Sequence, residues 1–216
     1  FTNKGKLYRL KGYEIPEAGR TAKGTAIVNL LSLDNGEKVS AVIPIGVFAD
    51  EKYLLMATKN GLIKKTALKE YDTVRKSGLQ AITLKEDDEL IGVRLTDGQD
   101  NVVLVTKKGM SITFSEKDVR PIGRVAQGVM GIRLDKDDAV IGMESIISGS
   151  NATLLAITEN GFGKRTELEE YRVQIRGGKG VTTYKVTPKT GNIVGIRIAN
   201  EEDDVMLITD TGTIIR

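Results

Sequence analysis

What this chain can fold into is constrained above all by a repeat. The turn motif Thr-x-x-Gly occurs at Thr2/Gly5, Thr58/Gly61, Thr106/Gly109, Thr158/Gly161 and Thr209/Gly212, so successive threonines lie 56, 48, 52 and 51 residues apart. A second landmark follows each of the first four turns, a basic residue and then a glycine: Arg20/Gly24, Arg75/Gly78, Arg124/Gly128 and Arg176/Gly180. A third closes the unit, an apolar residue before a small one, at Ile91-Gly92, Ile141-Gly142 and Val194-Gly195, with Ile43-Pro44 as the divergent member. These landmarks keep the same order four times over. They mark a single repeat domain over 1–216, with units at 1–46, 53–95, 101–146 and 153–198 and a partial unit at 204–216.

Residues 153–198 display the unit most fully. Leu154 to Thr158 is a short β-forming run, and Asn160-Gly161 is a hairpin turn, since both central positions of such a turn need positive φ. Gly163 to Leu168 follows as a second strand, then a loop from Glu169 to Gly180 whose Gly177, Gly178 and Gly180 allow backbone shapes closed to other residues. Val181 to Val186 and Ile193 to Ile198 complete four strands. A four-stranded unit at this period predicts an all-β, β-propeller-like array of blades. The same template predicts strands at Ala26 to Leu33, Lys38 to Ile45, Tyr53 to Thr58 and Leu62 to Leu68, and a helical turn at Leu68 to Tyr71. Tyr71 and Tyr171 are expected in the blade core or its rim, with Tyr13 at the equivalent place in the first unit.

With 216 residues, 40% of them apolar, the chain can bury a substantial core. It contains neither Cys nor His, which removes disulfides, thiolate chemistry and the commonest general base and metal ligand. Composition therefore points away from hydrolases and metalloenzymes and agrees with a reducing, cytoplasmic setting. No apolar span of membrane length and no cleavable signal occurs, so a membrane role has no support. Gly19 to Thr25, GRTAKGT, lacks the lysine that a P-loop needs after its second glycine. Asp135 to Asp138 lacks the glycine and glutamate of a calcium loop, and a turn is expected there. No metal or cofactor is expected in this chain.

The formal net charge is only +3, but its distribution follows the repeat. From turn threonine to loop glycine the four units carry +4, +4, +3 and +1, which totals +12 and leaves −9 for the remainder. The acids collect at Glu86 to Glu89, at Asp135, Asp137 and Asp138, and at Glu201 to Asp204. In an array of equivalent blades this places positive charge on one edge and negative charge on another surface. A basic edge repeated along a curve suits double-stranded DNA, whose phosphates it would neutralise without reading bases. Arg176 and Lys179 lead the candidates, because arginine can grip phosphate with two N–H groups while Gly177, Gly178 and Gly180 let backbone N–H groups approach it. Repeat position adds Arg20, Lys23, Lys64, Lys65, Arg75, Lys76, Arg120, Arg124, Lys164 and Arg165. The third unit departs, with Ser111-Ile112-Thr113 in place of the basic pair. Two other readings fit the same charges: a solvated edge that keeps strands unpaired, and a surface for an acidic protein partner. A propeller enzyme using carboxylates in a central channel stands further off.

Residues 1–31, FTNKGKLYRLKGYEIPEAGRTAKGTAIVNLL, closely resemble the C-terminal domain of the bacterial DNA gyrase A protein, and the later repeats look like its successive blades. The resemblance covers essentially the whole chain. It implies a six-bladed β-pinwheel whose blades exchange strands with their neighbours, four to five of them present here. It also implies non-catalytic wrapping of duplex DNA in support of negative supercoiling, within a complex of gyrase A and gyrase B subunits. ATP, magnesium and the DNA-cleaving tyrosine belong to other parts of that enzyme. The related domain of topoisomerase IV is the alternative, with the opening segment favouring gyrase. The family box, Q-[RK]-R-G-G-[RK]-G, is matched at six of seven positions by Gln174 to Gly180, QIRGGKG, where Ile175 replaces a basic residue. Because this copy lies in a late repeat, the family's own first-blade box is expected upstream of Phe1.

Overall fold

The structure is a computed structural model and describes residues 1–72, 77–147 and 149–216. Unit 1 contributes β1 (Lys6–Leu7). Unit 2 contributes β2 (Tyr53–Thr58), β3 (Leu62–Ala67), β4 (Leu79–Gln80) and β5 (Leu90–Thr96). Unit 3 holds β6 (Asn101–Thr106), β7 (Met110–Ser115), β8 (Val129–Met130) and β9 (Val140–Ile146), and unit 4 holds β10 (Thr153–Thr158), β11 (Gly163–Glu167), β12 (Val181–Thr182) and β13 (Ile193–Ala199). A last hairpin, β14 (Leu207–Ile208) and β15 (Ile214–Ile215), closes the chain. Short 3₁₀ turns follow the second strand of each unit, at Leu68–Tyr71, Glu116–Asp118 and Leu168–Glu170, as the expected helical turn. The described residues contain no α-helix.

The repeated threonine and glycine have a local cause. In all five turns the glycine N–H donates to the threonine carbonyl at 2.9–3.0 Å, as Gly61 does to Thr58 at 3.0 Å. The threonine Oγ1 accepts from the N–H four residues on, as Thr106 does from Met110 at 3.2 Å. The same bond recurs at Thr2, Thr58, Thr158 and Thr209. Gly61 and its four equivalents have φ between 74° and 87°, which an L side chain adopts only at a cost of about 1–2 kcal/mol. The hairpin is therefore written into two residue types.

Strand pairing crosses the unit boundaries. The two complete sheets run β5-β2-β3-β8 and β12-β7-β6-β9, so the fourth strand of each comes from the following unit. Leu62 pairs with Met130 and Ile63 with Val129; one unit on, Ser111 pairs with Val181 and Met110 with Thr182. β4 pairs with β1 in the same sense. The third strand of a unit thus completes the preceding blade, not its own. This is the strand exchange of a β-pinwheel. It also shortens that strand, since Val181 to Thr182 replaces the run to Val186 expected from the apolar pattern.

The two complete sheets are buried on both faces at their central strands, which is why β2 and β6 read as continuous apolar runs. Along β2, Leu54 and Met56 point into a cluster with Leu68, Tyr71, Ile82 and Leu90, while Leu55 and Ala57 point into one shared with Leu104, Ile112 and Phe114 of the next blade. β6 does the same, with Val102 and Leu104 on one side and Val103 and Val105 facing Leu154, Ala156 and Ile196 on the other. The core therefore lies between blades. Innermost strands β5, β9 and β13 stand side by side, leaving β3, β7 and β11 toward the outside.

Unit 1 departs from the template. No strand forms at Ala26 to Leu33 or Lys38 to Ile45; Ile27–Asn29 is a 3₁₀ turn, and the segment meets the first turn through a Thr2–Val39 bridge and isolated hydrogen bonds, such as Asn3 N–H to the Lys38 carbonyl at 2.9 Å. Tyr71 and Tyr171 are buried, whereas Tyr13 is 86% exposed. The reason is packing: Tyr71 donates its hydroxyl to the Ala81 carbonyl at 3.0 Å inside its cluster, and Tyr13 has no blade face to enter.

Candidate nucleic-acid interface

In units 3 and 4 the loop between the second and third strands lies across the outer strand of the blade before it. Ile122 N–H donates to the Lys65 carbonyl at 2.9 Å, and its equivalent Gln174 donates to Thr113 at 2.7 Å. Thr83 N–H donates to Ala126 at 3.3 Å, as Arg133 does to Gly178 at 2.8 Å. The glycines that end these two loops, Gly128 and Gly180, let this docking happen. At Gly128, with φ of 100°, an added Cβ would stand 2.8 Å from the Ile63 carbonyl oxygen. The expected Arg/Gly landmark is thus in large part a docking signature, and the loops it marks form the outer rim.

On that rim Arg120 is exposed, and Lys179 is exposed beside Asp135, which its Nζ meets at 2.9 Å. That hydrogen bond holds the Asp135 carboxyl below the usual aspartate range. Arg20 and Lys23 are exposed on the corresponding loop of unit 1. Lys164 and Arg165 are exposed on β11; Lys164 Nζ donates to Thr183 O at 2.8 Å, and Arg165 reaches Glu201 at 2.9 Å. Arg124 and Arg176 are half-buried and spend donors on backbone carbonyls, Arg124 on Glu70 and Arg176 on Asp118 and Met130. Arg75 and Lys76 lie outside the described residues.

Two candidates fall elsewhere. Lys64 is fully buried and Lys65 is 4% exposed, although both were expected on the basic edge. Lys64 Nζ donates to the carbonyls of Ala81, at 2.7 Å, and Arg124. Lys65 Nζ donates to the Glu116 carbonyl at 2.7 Å, with the Glu116 carboxylate 4.0 Å away. Burial first, and then the Arg124 charge, lowers the Lys64 ammonium to about 8, and burial lowers Lys65 as well. Enclosed ammonium groups of this kind have no surface to offer a phosphate. They tie blades together instead, and Lys164 repeats the Lys64 bond at Thr183, the equivalent of Ala81.

The expected separation of charge is also only partial. Asp88 accepts from Asn60 N–H and Asp138 from Lys108 N–H, each at 2.9 Å, and Lys59 pairs with Glu89 at 3.0 Å. These acidic turns therefore cap the Thr-x-x-Gly hairpins, with cations alongside.

Charge reading passed over the inner strands. Arg94, Glu144 and Arg197 each stand two residues past the apolar-Gly landmark of consecutive units, so the alignment itself held the signal. Glu144 accepts from Arg94 at 2.6 and 2.9 Å and from Arg197 at 3.1 Å. The two arginines of this plus-minus-plus series line a cavity of about 770 Å³ together with Ile91, Ile141, Gly142 and Val194. Asp97, Asp100 and Glu116 bring carboxylate oxygens within 4.8 Å of one another. Glu116 is already satisfied there by Thr96 Oγ1 at 2.8 Å and Asp100 N–H at 2.7 Å. Among the described residues no helix is long and apolar enough to cross a membrane.

Comparison with known proteins accounts for this architecture. A family model described as DNA gyrase C-terminal domain, beta-propeller, matches residues 1–45, 52–97, 100–147 and 152–200. The DNA gyrase A protein of Clostridium acetobutylicum is 55% identical over the whole chain, and that of Staphylococcus epidermidis 46%. The chain spans about a quarter of the length of these curated relatives, 26% and 24%. Among solved structures, the C-terminal domain of DNA topoisomerase IV superposes with a TM-score of 0.90 at 33% identity, over 100% of this chain and 67% of that one. A DNA gyrase A C-terminal domain superposes at 0.84 with 28% identity, over 99% and 69%. Strand exchange, paired-face burial and the matched repeats agree, and the chain belongs to the DNA gyrase C-terminal domain family.

Proposed function

We propose that this domain binds and wraps double-stranded DNA along its outer rim, without base reading and without catalysis of its own. The observation that carries the reading is the placement of the exposed cations Arg120 and Lys179 on loops that cross the outer strand of successive blades, with Arg20 and Lys23 exposed on the corresponding loop of unit 1. Backbone-directed charge at regular intervals neutralises phosphates and releases counterions, and the curve of the array supplies the bend.

In the parent protein the module would serve gyrase A, working with gyrase B in the bacterial cytoplasm. ATP and magnesium would be used by other domains. Relatives that carry the name of gyrase A support gyrase over topoisomerase IV as the parent.

The test is ligation of relaxed, nicked circular DNA with increasing amounts of the domain, reading linking number after protein removal. A shift that grows with protein supports wrapping; no shift refutes it. Binding without a shift would restrict the rim to holding DNA. The double substitution Arg120→Ala and Lys179→Ala should weaken unrelated duplexes equally and flatten the log-affinity against log-salt slope by up to about two units. An unchanged slope would remove both residues from the interface, and capture of an acidic protein without any DNA affinity would favour the protein-partner reading.

A further inference from the structure

One arginine holds the rim loop of unit 3, and one that of unit 4, to the blade before it. Arg124 NH1 donates to the Glu70 carbonyl at 3.2 Å, and Arg176, at the equivalent place one unit on, donates from Nε to the Asp118 carbonyl at 3.0 Å. The acceptors are equivalent too, each twelve residues beyond its turn threonine. Arg176 goes further, because its NH1 donates to the Met130 carbonyl at 3.0 Å. Met130 lies on β8, the outermost strand of the β2–β3 blade, while Asp118 belongs to the turn that ends β7. A single guanidinium therefore bridges two neighbouring blades across the rim. Around it, Gly177 N–H donates to the Gly131 carbonyl at 2.6 Å, and Gln174 N–H to Thr113 at 2.7 Å.

We infer that Arg176 is a positioning residue that sets the spacing of consecutive blades at the rim, and so the path of DNA held by the exposed cations, without itself being a phosphate ligand. The inference rests on the wrapping reading above. Planar geometry is what makes arginine specific here: its fork holds Nε and NH1 at a fixed separation, one toward each carbonyl, whereas lysine offers a single atom and would have to draw both carbonyls to it, as Lys64 does with Ala81 and Arg124. A phosphate ligand, by contrast, would keep most of its role as lysine, because counterion release follows charge.

Arg176→Lys separates the two roles. The variant should keep the salt slope of DNA affinity while losing linking-number change per bound domain. Its Gln174 and Gly177 amides should exchange with deuterium on the order of tenfold faster, as expected when one hydrogen bond is lost. Unaltered exchange, or full wrapping by the lysine variant, would overturn the inference. A loss of about one unit of salt slope in Arg176→Ala, with wrapping restored by lysine, would do the same and assign Arg176 to phosphate. If the unsubstituted domain produces no linking-number change, the wrapping reading fails by itself. The bridge is then judged on exchange alone, faster amides supporting it and unchanged ones refuting it. Amides of β6 and β9, remote from the loop, report whether the variant is folded.

Discussion

Replacing Gly180 by alanine tests whether the loop glycines serve conformation alone or blade-to-blade docking. Gly180 has φ of 76°, and an added Cβ would stand 2.7 Å from the carbonyl carbon of Ser111, nearer still to its oxygen, and 3.3 Å from Ile112 Cβ. Gly24 is its counterpart in unit 1, with φ of 72° and nothing within 4 Å of the same position. Both substitutions carry the left-handed backbone penalty of about 1–2 kcal/mol. Only Gly180→Ala also drives the loop off β7. The collision is with backbone, so it is relieved by loosening β12, which pairs at Val181–Ser111 and Thr182–Met110. Loss of these ladder bonds adds about 1 kcal/mol each, giving roughly 3–4 kcal/mol against 1–2 for Gly24→Ala. Urea unfolding of the two variants measures the difference, and amide exchange along β12 and the facing residues of β7 locates it. Equal destabilisation by the two alanines, or unchanged β12 exchange in Gly180→Ala, would refute the docking role.

Other consequences follow from buried charge. Lys64 is lowered from 10.5 to about 8, so between these values the unfolded chain binds the extra proton and stability rises with pH. Lys64→Met should flatten that rise by up to about 3 kcal/mol, read from urea unfolding across the window; parallel curves for the two proteins would count against it. The same substitution should leave the salt slope of DNA affinity unchanged, since an enclosed ammonium releases no counterion, whereas Arg120→Ala should lower it by about 0.9. Glu144→Ala strands Arg94, whose side chain is 28% exposed, and should cost about 2–3 kcal/mol. Adding Arg94→Ala should then cost less than the sum of the single changes, and strict additivity in that cycle would deny the coupling.

The parts of this protein legible in its sequence are those with local causes. Thr58 and Gly61 specify a hairpin because a hydroxyl meets an N–H four residues on and the glycine takes positive φ, with no help from distant chain. Five copies at nearly constant spacing then announce the repeat. Apolar runs such as Leu54 to Ala57 mark strands, and resemblance to a known family supplied the pinwheel.

Tertiary structure decided which neighbour each segment serves. Val181 and Thr182 are two β-forming residues wherever they sit, but their partner is β7 of the preceding blade, a choice made by the docked loop. Lys64 and Lys164 occupy the same repeat position, yet Lys64 is enclosed by the Arg124 loop and Lys164 is exposed, because that covering belongs to the following unit. Counting charge along the chain treats both alike. A cation's role depends on the carbonyl or solvent it meets, and that partner comes from dozens of residues away.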